Sequence, residues 1–448
     1  MYDVIVIGGG LAGLSAAVEL SSRGASVLLL EQRPHLGGRT YSFRDKKMGD
    51  SVDNGQHLLM GCYHETRRYL DIIGASHLAE LQKTLRIDFI HAKKGNAALR
   101  CLPLPAPLHV LSGLLRLGTL TPANRLRLLR LGVELLASSA TKEAELAPLT
   151  VDEWLKRCGQ PEENRKYLWD VIAVGSLNDE TSKVSALLFY RVLKTAFLGN
   201  RLNASLLVPR VGLSELLVHP AEEYLKQKGV VIKRGVEVEG IEGGEDGVTG
   251  VVCNRKREKA TCYISTIPYH ALQPLVVSLA RWFGESSRLS RFRSSPIITL
   301  HLWFDKEVID RPFVAVLDST IQWIFNKSAL LGIQRKDQYL SLVISAAAKI
   351  VDLPKDRLVR LAQKELADLL PASRGAKLIH SLVIKEKRAT FSPAPEVLRL
   401  RPGTNSGIPN LFLAGDWTDT GFPATIEGAV MSGRRAAEAA LTRLSLIR

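Results

Sequence analysis

The opening of the chain restricts its fold more than any other stretch. Tyr2–Ile7 is a short β-branched apolar run, suited to a strand buried on both faces of a parallel sheet. Gly8-Gly9-Gly10-Leu11-Ala12-Gly13 follows, then helical periodicity over Leu11–Ser22 and a second apolar strand over Ser26–Leu30. Strand, glycine turn, helix and strand within about thirty residues make a βαβ unit. In Gly8-x-Gly10-x-x-Gly13 the first glycine permits the tight turn, the second lets a pyrophosphate approach bare backbone, and the third lets helix pack close to sheet. The helix start at Leu11 and Ala12 offers unpaired N–H groups and a positive dipole end to phosphate. Glu31, eighteen residues after Gly13, ends the second strand where a carboxylate can accept from ribose hydroxyls, with Gln32 beside it. A carboxylate there repels a 2′-phosphate, so an unphosphorylated adenosine ribose is expected.

Two further clusters decide which dinucleotide. Gly37-Gly38-Arg39-Thr40 begins six residues past the ribose acid, a spacing that points to FAD rather than NAD, with Arg39 placed to meet a phosphate or the flavin edge. Asp53-Asn54-Gly55-Gln56-His57 is a polar loop expected to pass near the flavin through Gly55, Gln56 and His57. At the far end, the strand Leu411–Ala414 runs into Gly415-Asp416, and Thr425-Ile426-Glu427-Gly428-Ala429 opens a helix to about Leu444. Asp416 suits the ribityl chain or the pyrophosphate. Thr425, Ile426 and Ala429 put a helix N-terminus at the pyrimidine end of the flavin, where reduced flavin gathers negative charge.

The expected fold class is therefore α/β. A Rossmann-like FAD-binding domain with a β-meander, assembled from 1–84, 205–285 and 400–448, receives an inserted α+β substrate domain, 85–204 and 286–399. The helix-rich stretch 101–140 is expected to be able to face a membrane. Between these lie further expectations: a helix over 64–82, strands at Leu85–His91 and Ser205–Pro209, and an amphipathic helix near Leu213–Lys228. A meander is expected from Val236–Ile241, Gly247–Asn254 and Ala260–Ser265, turning through Gly243–Gly247. Strands at Ser295–Asp305 and Gln338–Ala346 and a helix at Lys355–Leu370 follow.

Charge supports an anionic partner: 60 Lys and Arg against 45 Asp and Glu give a formal +15. Nucleic acid is disfavoured, because no nucleic-acid motif is present and the basic residues alternate with leucine rather than aromatics. Five cysteines without CxxC spacing argue against a disulfide framework or a zinc site and for a reducing cytoplasm. No leader pattern opens the chain. The longest uncharged stretches, Leu102–Leu115 and Ala260–Ala280, are broken by prolines and polar residues and are not expected to span a bilayer. Phe89 to Val133 holds seven Lys and Arg and no acid, so peripheral contact with an anionic membrane on the cytoplasmic side is expected.

Together, Gly8–Gly13, Glu31 to Arg39, Gly415-Asp416, Thr425–Ala429 and Ser432-Gly433 resemble the flavin amine oxidase and carotenoid desaturase superfamily, over essentially the whole chain. That resemblance implies that Val238, in a V-x-x-I with Ile241, contacts the adenine side through its backbone, and that the Ile426 N–H meets the flavin pyrimidine. Asp53–His57 with Gly61-Cys62-Tyr63, Leu104–Leu108 and Gly415–Pro423 are most similar to the squalene-associated branch, the hydroxysqualene dehydroxylases, although Asn54 departs from the acidic form expected there. Plant-type phytoene desaturases share the general form of these segments. The resemblance implies reduction of a C30 isoprenoid allylic alcohol, hydroxysqualene, to squalene. Because imidazole titrates near neutrality, His57 is the candidate proton donor, with a purely hydrogen-bonding role behind the site as its alternative; Trp303 or Phe422 could steady a cation, although core packing is the expected role of each. A carotenoid-type desaturase running the flavin in the opposite direction is the alternative. A non-catalytic binder of prenyl chains fits less well, since the flavin end of the site is intact.

Overall fold

The computed structural model describes residues 1–137, 139–244, 246–276 and 287–447. Glu245 of the expected meander turn, the end of the uncharged stretch Ala260–Ala280 and the expected domain boundary at 285–286 lie outside them.

The opening motif folds as a strand Tyr2–Ile7, a helix Leu11–Ser22 and a strand Val27–Glu31. These strands sit in a five-stranded parallel sheet ordered Val231–Arg234, Val27–Glu31, Tyr2–Ile7, Ala260–Ser265, Leu411–Leu413. The first and last parts of the chain therefore share one sheet. They share one helix pair as well, because Leu11–Ser22 packs on Ile426–Ser445. Glycine allows the approach: a Cβ on Gly433 would lie 2.1 Å from the Ala12 carbonyl oxygen, and one on Gly13 would lie 1.9 Å from that of Gly8. Ser15 Oγ donates to the Val430 carbonyl at 2.8 Å across the contact.

One strand expected in the meander belongs elsewhere. Ala260–Ser265 runs parallel to Tyr2–Ile7, with Val4 opposite Cys262, and the meander closes instead with Lys256–Glu258 after Val238–Gly244 and Gly247–Cys253. The physical reason is burial: Cys262, Tyr263 and Ile264 are wholly enclosed and need a central strand, whereas Lys256 and Arg257 are exposed at an edge. The expected helix over 64–82 stops at Ile72. Gly74, at φ 73°, cannot be replaced there without strain, and the chain continues as a short 3-10 turn and the strand Ala79–Leu81. Leu213–Lys228 is two helices, Leu213–Leu217 and His219–Gln227, with Pro220 in the first turn of the second.

The second sheet has seven strands, ordered Leu378–Phe391, Ser294–Phe304, Gln338–Ile344, Trp323–Asn326, Phe313–Val316, Arg86–His91, Gly95–Arg100. Four of its strands, at 95–100, 313–316, 323–326 and 378–391, carry no turn or alternation signal strong enough to be expected from sequence. Its strand Ser294–Phe304, next to the edge, alternates. Ile298, Leu300, Leu302 and Phe304 face the helix Lys355–Leu369 in one core, and Thr299, His301 and Trp303 point the other way. That second face lies against the loop 45–57.

Candidate flavin site

The glycine turn has the shape that phosphate needs. Gly8 is at φ 105°, and its missing Cβ would sit 2.7 Å from Thr266 Oγ1, so only glycine fits. A Cβ on Gly10 would meet nothing within 4 Å, leaving open space over bare backbone at the start of the helix. Gly37 N donates to the Gly9 carbonyl at 2.8 Å, fixing the second glycine cluster against the first. Gly38, at φ 60°, stands with its missing Cβ 3.2 Å from Gly10 Cα. Thr40 closes the turn, its N and Oγ1 both donating to the Gly37 carbonyl.

Glu31 is buried, and each carboxylate oxygen accepts one backbone N–H: Oε2 from Gly9 at 2.7 Å and Oε1 from Arg33 at 2.8 Å. Further lone pairs remain for ribose hydroxyls. Val236 N donates to the Glu31 carbonyl at 3.0 Å, which brings the strand carrying Val238 to the same end of the sheet.

The far cluster closes on the near one. Arg39 Nη2 meets Asp416 Oδ1 at 2.8 Å, and Arg39 Nη1 also donates to the Ala389 carbonyl. The Asp416 charge raises the Arg39 guanidinium above its ordinary pKa, against the opposing effect of burial. Gly415, at φ 130°, donates its N–H to Ser432 Oγ at 2.8 Å. Thr425 caps the last helix, its Oγ1 accepting from Gly428 N at 3.0 Å, so the helix begins at Ile426 with free N–H groups. Glu427, inside the same motif, turns away and accepts from Glu65 N, Thr66 N and Thr66 Oγ1, capping the helix His64–Ile72.

The family described as flavin containing amine oxidoreductase matches residues 11–441. The chain belongs to that family. It is an FAD-binding oxidoreductase, and the cradle at Gly10, the paired oxygens of Glu31 and the helix start at Ile426 fit that group. Over 98% of both lengths it is 29% identical to the hydroxysqualene dehydroxylase of Zymomonas mobilis subsp. mobilis. It is 25% identical to the 15-cis-phytoene desaturase of Glycine max, covering 98% of this chain and 79% of the relative. Among solved structures it is similar to the cyclohexylamine oxidase of Brevibacterium oxydans, with TM-score 0.73 and 18% identity over 100% of both chains.

Two groups missed by sequence reasoning hold this flavoenzyme's site together. Arg401 is buried and donates to the carbonyls of Asp416, Trp417, Thr418 and Phe422, pinning the loop after Gly415. Burial lowers its pKa to about 10, so it remains cationic at neutral pH. Lys327 is the other. Its Nζ lies 2.8 Å from Asp53 Oδ2 and 2.6 Å from Gln56 Oε1, with 2% of each charged side chain exposed. Asp53 Oδ1 accepts from Ser42 Oγ at 2.6 Å and Leu213 N at 2.8 Å. Burial would raise the Asp53 carboxyl, but Lys327 and the hydrogen bonds outweigh it and hold it below the usual range. No motif announces either residue: each is a single basic side chain whose partners are distant in sequence.

Hydrogen bonds fix the polar loop at Asp53, Asn54, Gln56 and His57. Asn54 Nδ2 donates to the Arg39 carbonyl at 3.1 Å, Gln56 is held by Lys327, and a Cβ on Gly55 would lie 3.7 Å from Thr299 Oγ1. His57 is half-buried, with Nδ1 2.8 Å from the Gly55 carbonyl. Since a carbonyl only accepts, Nδ1 carries the proton and Nε2 is bare in the neutral ring. Burial lowers the His57 pKa, with the Gly55 carbonyl opposing it in part. A proton-donor role thus requires the less populated imidazolium at neutral pH. Trp303 does not face a substrate. It is fully buried, stacks on Tyr339 at 4.4 Å and donates to Asp50 Oδ2 at 2.6 Å.

Proposed function

We propose that this flavoenzyme reductively removes the hydroxyl of hydroxysqualene, a C30 isoprenoid alcohol, to give squalene. The observation that carries this reading is similarity to a hydroxysqualene dehydroxylase along 98% of both chains. The allylic C–O bond breaks, the hydroxyl takes a proton and leaves as water, and a C–H bond forms at the carbon. FAD, when bound in its reduced form, supplies the hydride and is itself oxidised.

In this reading the cofactor-contacting residues are Gly8, Gly10, Leu11, Ala12, Gly13, Glu31, Gln32, Gly37, Gly38, Arg39 and Thr40 at the first end. Gly55, Gln56, His57, Val238, Gly415, Asp416, Thr425, Ile426 and Ala429 complete the set. The Arg39–Asp416 pair would hold the two ends in register around the flavin. Lys327 anchors Gln56 and Asp53, fixing the backbone on either side of Gly55. His57 is the proton donor to the leaving hydroxyl, working through its protonated minority. Because the substrate is a long isoprenoid alcohol that dissolves in lipid, peripheral contact with an anionic membrane is part of the same reading.

The test is product analysis. Hydroxysqualene incubated anaerobically with enzyme carrying prereduced FAD should yield squalene, whereas phytoene with oxidised FAD should be unchanged. The reverse result would establish a desaturase, the reading favoured by the Glycine max relative. For His57, kcat/KM should rise as pH falls below about 6.5, the ordinary histidine value, and His57→Gln should abolish that rise. A wild-type profile unchanged by the substitution would remove His57 as donor.

A further inference from the structure

The helix Pro122–Leu136 buries Leu128, Leu131 and Leu135 and yet carries a second apolar stripe. Leu126, Leu129, Val133 and Leu136 are 61%, 41%, 66% and 62% exposed. Their spacing of three, four and three residues puts them on one face. At about 100° per residue, Arg125 falls on one flank of that stripe, with Arg127 and Arg130 on the other. Of the thirteen exposed large apolar side chains among the described residues, eight fall between Leu102 and Leu136. Single exposed leucines need no explanation, but a run of this kind does. Arg125 also ties the preceding turn to the helix, donating to the Leu120 carbonyl at 3.0 Å and the Leu115 carbonyl at 3.3 Å, which keeps exposed Leu115 beside the stripe.

Charge selects what covers this face. Arg100, Arg116, Arg125, Arg127 and Arg130 form no ion pair among the described residues, and the stretch Phe89 to Val133 offers no acid to any partner. The first acid beyond it, Glu134, is taken by Lys142. A second copy of the chain docking here by two-fold symmetry would set arginine against arginine with nothing to neutralise them. An anionic bilayer answers both halves of the surface, with lipid phosphates for the arginines and acyl chains for the leucines. No helix among the described residues is long and apolar enough to cross a membrane, so the contact would lie in the interface plane.

We infer that the leucine stripe of Pro122–Leu136, flanked by Arg125, Arg127 and Arg130, is the surface by which this enzyme seats itself on an anionic lipid bilayer. The inference names the membrane-facing element of the proposed dehydroxylase and rests on that reading for its purpose, delivery of a lipid-dissolved substrate. The surface itself can be tested apart from turnover.

The test uses the full chain with FAD in flotation against vesicles rich in phosphatidylglycerol and against purely phosphatidylcholine vesicles. Three variants accompany the parent: Leu126→Ser with Val133→Ser, Arg127→Gln with Arg130→Gln, and Lys364→Gln as a basic-surface control elsewhere. The parent and the control should float with anionic vesicles at low salt. Each double variant should bind at least about tenfold more weakly while keeping the parent's melting temperature, and high salt should weaken the parent. Absence of parent binding at low salt overturns the inference, as does equal binding by parent and leucine variant. A parent oligomer that the leucine variant converts to monomer would assign the face to a second copy instead. Turnover of detergent-dissolved hydroxysqualene should be the same for parent and leucine variant. If neither turns it over, the proposed reaction fails while the vesicle result stands by itself.

Discussion

Two regions of this protein invert the usual placement of polarity. Where the seven-stranded sheet meets loop 45–57, a lysine and a carboxylate are sealed away with 2% of each side chain exposed, and Trp303, Tyr339 and Asp50 are buried alongside. On the helix Pro122–Leu136, leucines stand in solvent on the face opposite the core. The first region is closed by this chain alone. Every charge there has its partner supplied, because an unpaired ion in such a place would be very costly. The second is left open, and its apolar surface has no partner among the described residues. A closed polar joint fixes geometry, and an open apolar face awaits something outside.

The sharpest way to break the comparison is at Lys327. Lys327→Met leaves Asp53 charged and enclosed, and should cost about 3–5 kcal/mol of stability, seen as a large drop in denaturation midpoint. Adding Asp53→Asn should recover part of it. A single variant as stable as the parent would show that the joint is wetter than its geometry states.

A smaller effect comes from acid. His301, fully enclosed with Nδ1 2.8 Å from the Tyr339 hydroxyl, is held neutral by burial first and by Lys327 next, its pKa lowered to about 3. The unfolded chain therefore binds a proton that the folded chain refuses. Stability from this group is whole above about pH 6.5 and is lost as pH falls toward 3, at no more than about 1.4 kcal/mol per pH unit. Thermal melts between pH 7 and 4 should show this slope, and His301→Gln should flatten it. An identical slope in the variant would place the acid sensitivity elsewhere.

The open face should show the least. Leu126→Ser with Val133→Ser removes no buried contact and should change stability by within about 0.5 kcal/mol per site. A loss of several times that would mean these leucines already have a partner inside the fold, and the contrast between the two regions would dissolve.

What the sequence disclosed follows the same division. Glycines at fixed spacing are legible because backbone conformation and close approach leave no substitute, so Gly8, Gly13, Gly37 and Gly415 mark their turns directly. The strands Tyr2–Ile7 and Leu411–Leu413 announce themselves as unbroken apolar runs beside glycine turns, and the helix Leu11–Ser22 by following one. Ala260–Ser265 was legible as a strand but not in its partner, since pairing across more than two hundred residues leaves no local trace. Lys327 and Arg401 were invisible for a related reason: their chemistry lies in acceptors brought from Asp53 and from the carbonyls of 416–422. The leucine face showed only as an absence of acids. Its outward stripe needed the packed one, Leu128, Leu131 and Leu135, to be located first.

The Arg39–Asp416 contact joins residues 377 positions apart. On a ribosome, Arg39 emerges long before Asp416, the Gly8 turn waits for Thr266, and the first helix waits for the last to dock on it. If Asp416 and Ile426 hold the flavin as proposed, a translation product stopped short of that helix would be pale whatever the supply of FAD.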